Sequence, residues 1–360
     1  MRAEVDHPTR VLSVDRIYFE PAVIGYLRGQ EIFNRFPEAE RIEVRSHWQI
    51  PELHGNQEAL EEWVQVKRTN LVLGVRKTAP VVTNGRSGDF IAPGHANGCA
   101  MACVYCYVPR RKGYANPITV FVNIEQICAS IARHAAKLGT KSTPNQVDPK
   151  FWVYDIGCNS DCSVDDLISD NVRDVLDLFK RLPNAKASFA TKFVNRDLLD
   201  YDPKGKVRIR FSLMPADLAR VVDVRTSNMA DRISAINDFF EAGYEVHLNF
   251  SPVIYSSTWQ ADYAELFDQI DSSICGAAKQ QLAAEIIFLT HNEAQHQMNL
   301  QWHPKAEELL WQPELQEQKV SLNGGGVNLR YRRGFKGQLV QEFCALLKAK
   351  MPYCRVRYAF

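Results

Sequence analysis

Between residue 90 and residue 290, short apolar runs alternate with stretches of helical periodicity, and this alternation constrains the fold most. Phe151–Ile156, Ala187–Thr191, Val207–Leu213, Glu245–Val253 and Glu285–Thr290 read as strands. Ile124–Leu138, Val164–Leu182, Met229–Ala242 and Trp259–Ile274 read as the helices between them. Ser163 and Asp165 sit where an N-cap and a first-turn acid belong, and Gly243 sits at the usual C′ position. Strands alternating with helices of this length predict parallel β/α units with right-handed crossovers. About six units fit, so the expected fold class is α/β with an open or incomplete (β/α) barrel; eight units would close one.

The flanks differ. Residues 1–90 read as an N-terminal α/β extension: strand Val11–Tyr18, helix Glu20–Arg35, short strand Arg41–Arg45, helix Glu58–Val66 and a β-type run Leu71–Arg76. Residues 91–315 hold the partial barrel. Residues 316–360 read as a basic C-terminal region, with a hairpin turning at Gly324–Gly326, a helix over Gly337–Ala349 and a strand over Arg355–Ala359. Nine basic and two acidic residues fall within 317–360, on a chain whose net charge is +1. The composition, 46% hydrophobic and 24% charged, excludes a disordered, collagen-like or coiled-coil chain. No run approaches the roughly 20 apolar residues of a membrane helix. The first residues carry no apolar signal core. A cytoplasmic protein without a membrane partner is expected.

Nine cysteines occur, and three of them fall within eight positions: Cys99-Ala-Met-Ala-Cys103-Val-Tyr-Cys106. In a reducing compartment such a cluster reads as metal binding before disulfide bonding. Three thiolates on one tight loop suit a soft metal or an iron–sulfur cluster. With no fourth cysteine at zinc-ribbon spacing, one iron of a [4Fe–4S] cube would stay open to chelate a ligand. A zinc knuckle or three buried thiols are the bland alternatives.

The C-x3-C-x2-C spacing resembles the signature of radical S-adenosylmethionine (SAM) enzymes. More of the chain is similar to one branch of them, the spore photoproduct lyases. The resemblance runs through Asn70–Thr78, Gly98–Tyr107, Tyr114–Asn123, Cys158–Asp161, Ala190–Phe193, Arg208–Ser212, Arg225–Ser227, Asp231–Ile233, Ser251–Tyr255 and Met351–Tyr358. It implies that Cys99, Cys103 and Cys106 hold a [4Fe–4S] cluster, and that Ser160, Lys192 and Ser212 contact SAM, with Tyr105 near the adenine. It implies that Cys158 donates a hydrogen atom to a product thymine radical and that Tyr105 and Tyr107 return the radical toward deoxyadenosine. The chemistry of Cys158 agrees, because an S–H bond is weaker than a C–H bond and quenches a carbon radical downhill. The implied activity is a DNA-repair lyase that reverses a methylene-bridged thymine dimer. Its implied partners are UV-damaged DNA and an electron donor such as flavodoxin or ferredoxin, and a monomer or weak dimer is expected.

The chain departs from the family pattern in places. The family block Ser-Cys-Thr-Ser-Asp is here Gly157-Cys158-Asn159-Ser160-Asp161, followed by a further cysteine, Cys162. A polar insertion lies near Thr140–Lys150. The basic and aromatic stretch Arg330, Tyr331, Arg332, Arg333 and Lys336 stands where the family has a DNA-binding hairpin, and it has the chemistry to neutralise phosphates and to stack on bases. Two other functions stay open on the residues alone. One is the same radical machinery acting on another nucleic acid or a small molecule. The other is a non-catalytic iron–sulfur or zinc protein. Asp165, Asp166 and Asp223 read as caps or solvated acids. His95 reads as structural or as support behind the cluster, and His247 as a core residue. His291 and His296 show no metal-ligand spacing.

Overall fold

The structure, a computed structural model, describes residues 11–50, 53, 60–106, 108, 116–320 and 326–360. Contacts divide the chain into two compact units, residues 1–102 with 106–207, and residues 103–105 with 208–360.

In the first unit the fully buried run Asn70–Gly74 is a strand of five residues. It lies between parallel strands Arg16–Phe19 and Ile118–Phe121, with Ile17 beside Leu71 and Val72 beside Thr119. A strand buried on both faces loses its alternation and reads as a continuous apolar run, as Leu-Val-Leu does here. Glu40–Glu43 adds a parallel edge strand, and Ala96–Asn97 pairs antiparallel with Ile118–Phe121. Strands Phe90–Ile91, Trp152–Asp155 and Ala185–Thr191 pair in parallel in that order. Helix Ile124–Leu138 has the expected bounds and buries Ile124, Ile127, Ile131 and Ala135 along one stripe.

Two expected helices are broken. Glu20–Arg35 is a 3-10 turn, Pro21–Gly25, followed by helix Leu27–Arg35, because Tyr26 between them is extended. Proline at the first position starts the turn. Val164–Leu182 is a short helix, Cys162–Asp165, and a second one, Asn171–Arg181. The N-cap of the short helix is Asp161 rather than Ser163; its carboxylate accepts from the Ser163 N–H. The helix expected at Glu58–Val66 runs over Leu60–Thr69, and residues 58 and 59 lie outside the described residues.

The second unit has four parallel strands in the order Val207–Ser212, Glu245–Val253, Ala283–Phe288 and Arg355–Ala359. Alternation along the first two gives one polar face, with Arg208, Arg210 and Ser212 beside Glu245, His247 and Asn249, and one apolar face. Helix Met229–Glu241 packs on the strand Glu245–Val253, and Gly243 follows it at φ +90 as expected. An aromatic cluster of Phe250, Tyr263, Phe267 and Phe343 seats helix Trp259–Ser273 and helix Arg333–Lys350. Strands Gln316–Val320 and Val327–Tyr331 form the expected antiparallel hairpin, and Thr290–His291 pairs with its second strand. The turn expected at Gly324–Gly326 lies, but for Gly326, outside the described residues.

Candidate active site

The cysteine loop starts at Gly98, whose φ is +102. A Cβ there would stand 2.5 Å from the Pro117 carbonyl oxygen, so the position requires glycine. Cys99, Cys103 and Cys106 are all half-buried. The Met101 N–H donates to Cys99 Sγ at 3.4 Å, which favours a charged sulfur. Lys67, buried, donates its ammonium to the Met101 carbonyl and braces the same turn. This loop is tied to a second one backbone to backbone: the Gly98 N–H donates to the Asn159 carbonyl at 2.9 Å.

That second loop follows strand Trp152–Asp155 and carries Cys158. It turns at Gly157, φ +74, where a Cβ would stand 2.5 Å from Cys162 Sγ. Cys158 is half-buried, its Sγ 4.0 Å from the Asp155 carbonyl. Cys162 is fully buried, and burial together with Asp165 and Asp161 pushes its thiol well above the ordinary range. Beneath the loop Asp161 accepts from the Ser163 N–H at 3.0 Å, Thr191 Oγ1 at 2.8 Å and the Lys192 N–H at 3.0 Å. The last of these ties Asp161, the neighbour of Ser160 in the chain, to the Lys192 backbone. The Ser160 hydroxyl oxygen is buried with no hydrogen-bond partner.

Burial raises the Asp161 carboxyl to about 6, with Asp165 adding to the rise and the three donors opposing it. The folded state therefore holds this proton more tightly than the unfolded chain. Its contribution to stability is present below the ordinary aspartate pKa and is lost as pH rises through about 4 to 6. Asp161→Asn is expected to flatten that part of the stability profile, by up to about 3 kcal/mol, in denaturant titrations at successive pH values.

In the second unit Ser212 ends its strand with Oγ accepting from Asn249 Nδ2 at 3.1 Å. Arg232 donates to the Ser212 carbonyl at 2.8 Å and to Asp223 at 2.9 Å. The Asp223 carboxylate also accepts from the Tyr105 hydroxyl. Burial, and then Asp223, raise the Tyr105 phenol well above its usual range, so it is a neutral donor here. Val104, its neighbour, donates to the Val222 carbonyl.

Several side chains sit otherwise than the sequence suggests. Asp165, Asp166 and Asp223, expected as caps or solvated acids, are all buried and paired, with His95, with Arg173 and Asn195, and with Arg232. Tyr331, expected among base-facing residues, is buried, and its hydroxyl accepts from the Tyr255 N–H. Arg332 and Arg333 are exposed; Arg330 and Lys336 are half-buried. His247 is a core residue as expected, held neutral by burial that lowers it to about 4. Tyr107 lies outside the described residues. Asp161, Arg232 and Asn249 receive no role from sequence reading, and Asp223 only that of a cap or solvated acid. The available signal was membership of three of them in the similar blocks around Cys158, Asp231 and Arg225, or beside those blocks.

A family model described as spore photoproduct lyase matches residues 12–360. A spore photoproduct lyase of Bacillus subtilis (strain 168) is 29% identical over 275 residues, 75% of this chain and 77% of that protein. One from Geobacillus sp. (strain Y412MC61) is 28% identical over 275 residues, again 75% and 77%. The chain superposes on a solved spore photoproduct lyase complexed with dinucleoside spore photoproduct with a TM-score of 0.86, at 24% identity, covering 97% of this chain and 99% of that one. A double mutant with bound AdoMet and the same dinucleoside gives 0.86 at 23% identity, with the same coverage. These likenesses show the fold: the expected α/β class with an incomplete barrel is borne out.

Proposed function

The chain belongs to the spore photoproduct lyase family, and on that premise we propose that it reverses the spore photoproduct, a methylene-bridged thymine dimer, to two thymines by radical SAM chemistry. One observation carries the reading for this chain's own residues. The loop that opens on Cys99 and the loop that carries Cys158 are joined by the Gly98–Asn159 backbone hydrogen bond. A radical generator and a hydrogen donor must be neighbours, and the bond between these two loops supports that reading of them.

The donor set fits a cluster: three half-buried thiols with a backbone N–H aimed at one sulfur. Cys99, Cys103 and Cys106 would hold the [4Fe–4S] cluster. That cluster, when bound, would supply the single electron for reductive cleavage of SAM to methionine and a 5′-deoxyadenosyl radical. Ser160, Lys192 and Ser212 would contact SAM. The unpartnered Ser160 hydroxyl suits a ligand contact, because a buried hydroxyl without a partner costs about 1–3 kcal/mol that a bound group recovers. The Lys192 ammonium suits a carboxylate. Abstraction of a hydrogen atom from the lesion by the deoxyadenosyl radical would fragment the bridge, and Cys158 would give its thiol hydrogen to the thymine radical left behind, itself becoming a thiyl. Tyr105 and Tyr107 would return a hydrogen atom to that thiyl and relay the radical back to 5′-deoxyadenosine, with Tyr105 oriented by its bond to Asp223. Damaged DNA would bind through Arg330, Arg332, Arg333 and Lys336, and a flavodoxin or ferredoxin would deliver the electron to a monomeric or weakly dimeric, cytoplasmic enzyme. Among the described residues no helix is long and apolar enough to cross a membrane.

The test is SAM cleavage under dithionite by anaerobically reconstituted protein. 5′-Deoxyadenosine formation is expected to rise when the dinucleoside spore photoproduct is added. Indifference to the dinucleoside would sink the substrate assignment. For the hairpin, the double change Arg332→Ala and Arg333→Ala is expected to weaken duplex binding and to lower the slope of log K against log salt by about 1 per lost phosphate contact. An unchanged slope in fluorescence anisotropy would remove these two residues from the interface.

A further inference from the structure

His291 ends a two-residue strand, and Asn292 then caps helix Glu293–Trp302 by accepting from the Gln295 N–H at 3.0 Å. This sharp reversal brings His296 beside His291. Glu307 arrives from the next helix, Pro304–Leu310, which is why spacing in the sequence does not reveal the set. His291 Nε2 lies 3.1 Å and 3.0 Å from the two Glu307 oxygens, and His296 Nδ1 lies 2.7 Å from Oε2. One ligand atom from each of the three residues lies within 4.8 Å of the other two. His291 and Glu307 are buried, and Trp311 stacks flat on the His296 ring at 3.8 Å.

Glu307 has two imidazoles and the Asn299 amide as partners, none of them a permanent cation. Buried carboxylates are paired or coordinate metals. Two imidazole nitrogens and a carboxylate are the donor set of borderline divalent ions. We propose that His291, His296 and Glu307 bind a divalent transition-metal ion of the zinc type, separate from the cysteine cluster and independent of the repair reading.

The surroundings give the ion a structural role. Asn299 donates both to Glu307 Oε1 and, at 3.1 Å, to the Val104 carbonyl between Cys103 and Cys106, and Gln295 donates to the same carbonyl. On the other side Thr290 and His291 pair with Arg330 and Leu329 of the basic hairpin. The ion would tie the hairpin to the cysteine loop through one rigid set of side chains.

The test is elemental analysis of the reconstituted holoenzyme after exposure to zinc and gel filtration, since zinc and iron are told apart by mass. A full-length variant with Cys99, Cys103 and Cys106 all changed to alanine is run beside it, to remove zinc held by those thiols. About one zinc per chain is expected in both. Glu307→Gln and His296→Gln are expected to weaken zinc binding at least about 100-fold, and Asn299→Ala, which only orients a ligand, about 10-fold. His296→Gln changes a ring at the edge of the set, so it keeps the test valid if Glu307→Gln does not fold by circular dichroism. A triple-alanine chain that retains no zinc would overturn the proposal, as would folded ligand variants that hold it undiminished.

Discussion

Cys158→Ala is expected to lower recovery of two thymines at least about 100-fold while 5′-deoxyadenosine still forms, because the variant lacks the proposed hydrogen donor and keeps the cysteine loop. The thymine radical then ends in another product, visible as a new mass in the repair mixture. In D2O the thiol hydrogen exchanges, so wild-type product thymine should carry solvent deuterium and the residual product of the variant should not. Cys162 offers no substitute. It is fully buried, its thiol faces the glycine turn at Gly157, and Cys162→Ala should leave thymine recovery largely intact. Wild-type thymine recovery by Cys158→Ala, or its loss on Cys162→Ala in a folded protein, would assign the donor to the wrong thiol.

The largest stability effect is expected at Glu285. Its carboxylate is fully buried and holds Arg357 at 2.6 Å, Arg210 at 2.8 Å and the Tyr358 hydroxyl at 2.9 Å. Parallel registry puts Ser212 beside Asn249, Asn249 beside Glu285 and Glu285 beside Tyr358, so this group anchors one polar row across four strands. Burial alone would raise its carboxyl, but Arg210 and Arg357 outweigh burial and hold it below the ordinary range. The stabilisation is therefore present above the unfolded glutamate pKa and is lost as pH falls through the lower folded value. Glu285→Ala leaves two buried guanidinium groups without their anion, and a loss of about 3–5 kcal/mol is expected near neutral pH. Guanidinium titration at neutral pH and again in acid checks this, the gap between wild type and variant narrowing in acid. A loss under about 1 kcal/mol at neutral pH would show that water or another acid compensates the arginines.

Much of this fold is legible in the residue pattern, and the failures have local causes. Helix Ile124–Leu138 and strands Glu245–Val253 and Arg355–Ala359 have their expected bounds, since each has a clear period and a clear stop. The apolar period of Val164–Leu182 continues across a real break. There the Asp166 side chain takes bonds from Arg173 and Asn195, and the backbone leaves the helix before Asn171. Periodicity does not see such bonds.

The same holds at the site. Three cysteines on one loop announce themselves, because their partners are one another. Asp223 looks like any surface aspartate until Tyr105, 118 positions earlier, and Arg232 close on it. Glu285 meets Arg357 72 positions away, and His296 meets Glu307 only after a helix and a turn. Tyr331 misleads in the opposite direction: a charged neighbourhood suggests a surface ring, while alternation along its strand turns the side chain inward. Buried polar groups are set by long-range registry, and single-sequence spacing carries little of that.

Repair of a methylene-bridged thymine dimer can be measured in a single anaerobic assay. Reconstituted protein, SAM and dithionite are mixed with an oligonucleotide carrying the spore photoproduct, and thymine and 5′-deoxyadenosine are quantified together by mass spectrometry. Two thymines are expected for every lesion lost, dependent on SAM and on Cys99, Cys103 and Cys106. 5′-Deoxyadenosine without any thymine would contradict that expectation and direct the search to another substrate for the same radical machinery.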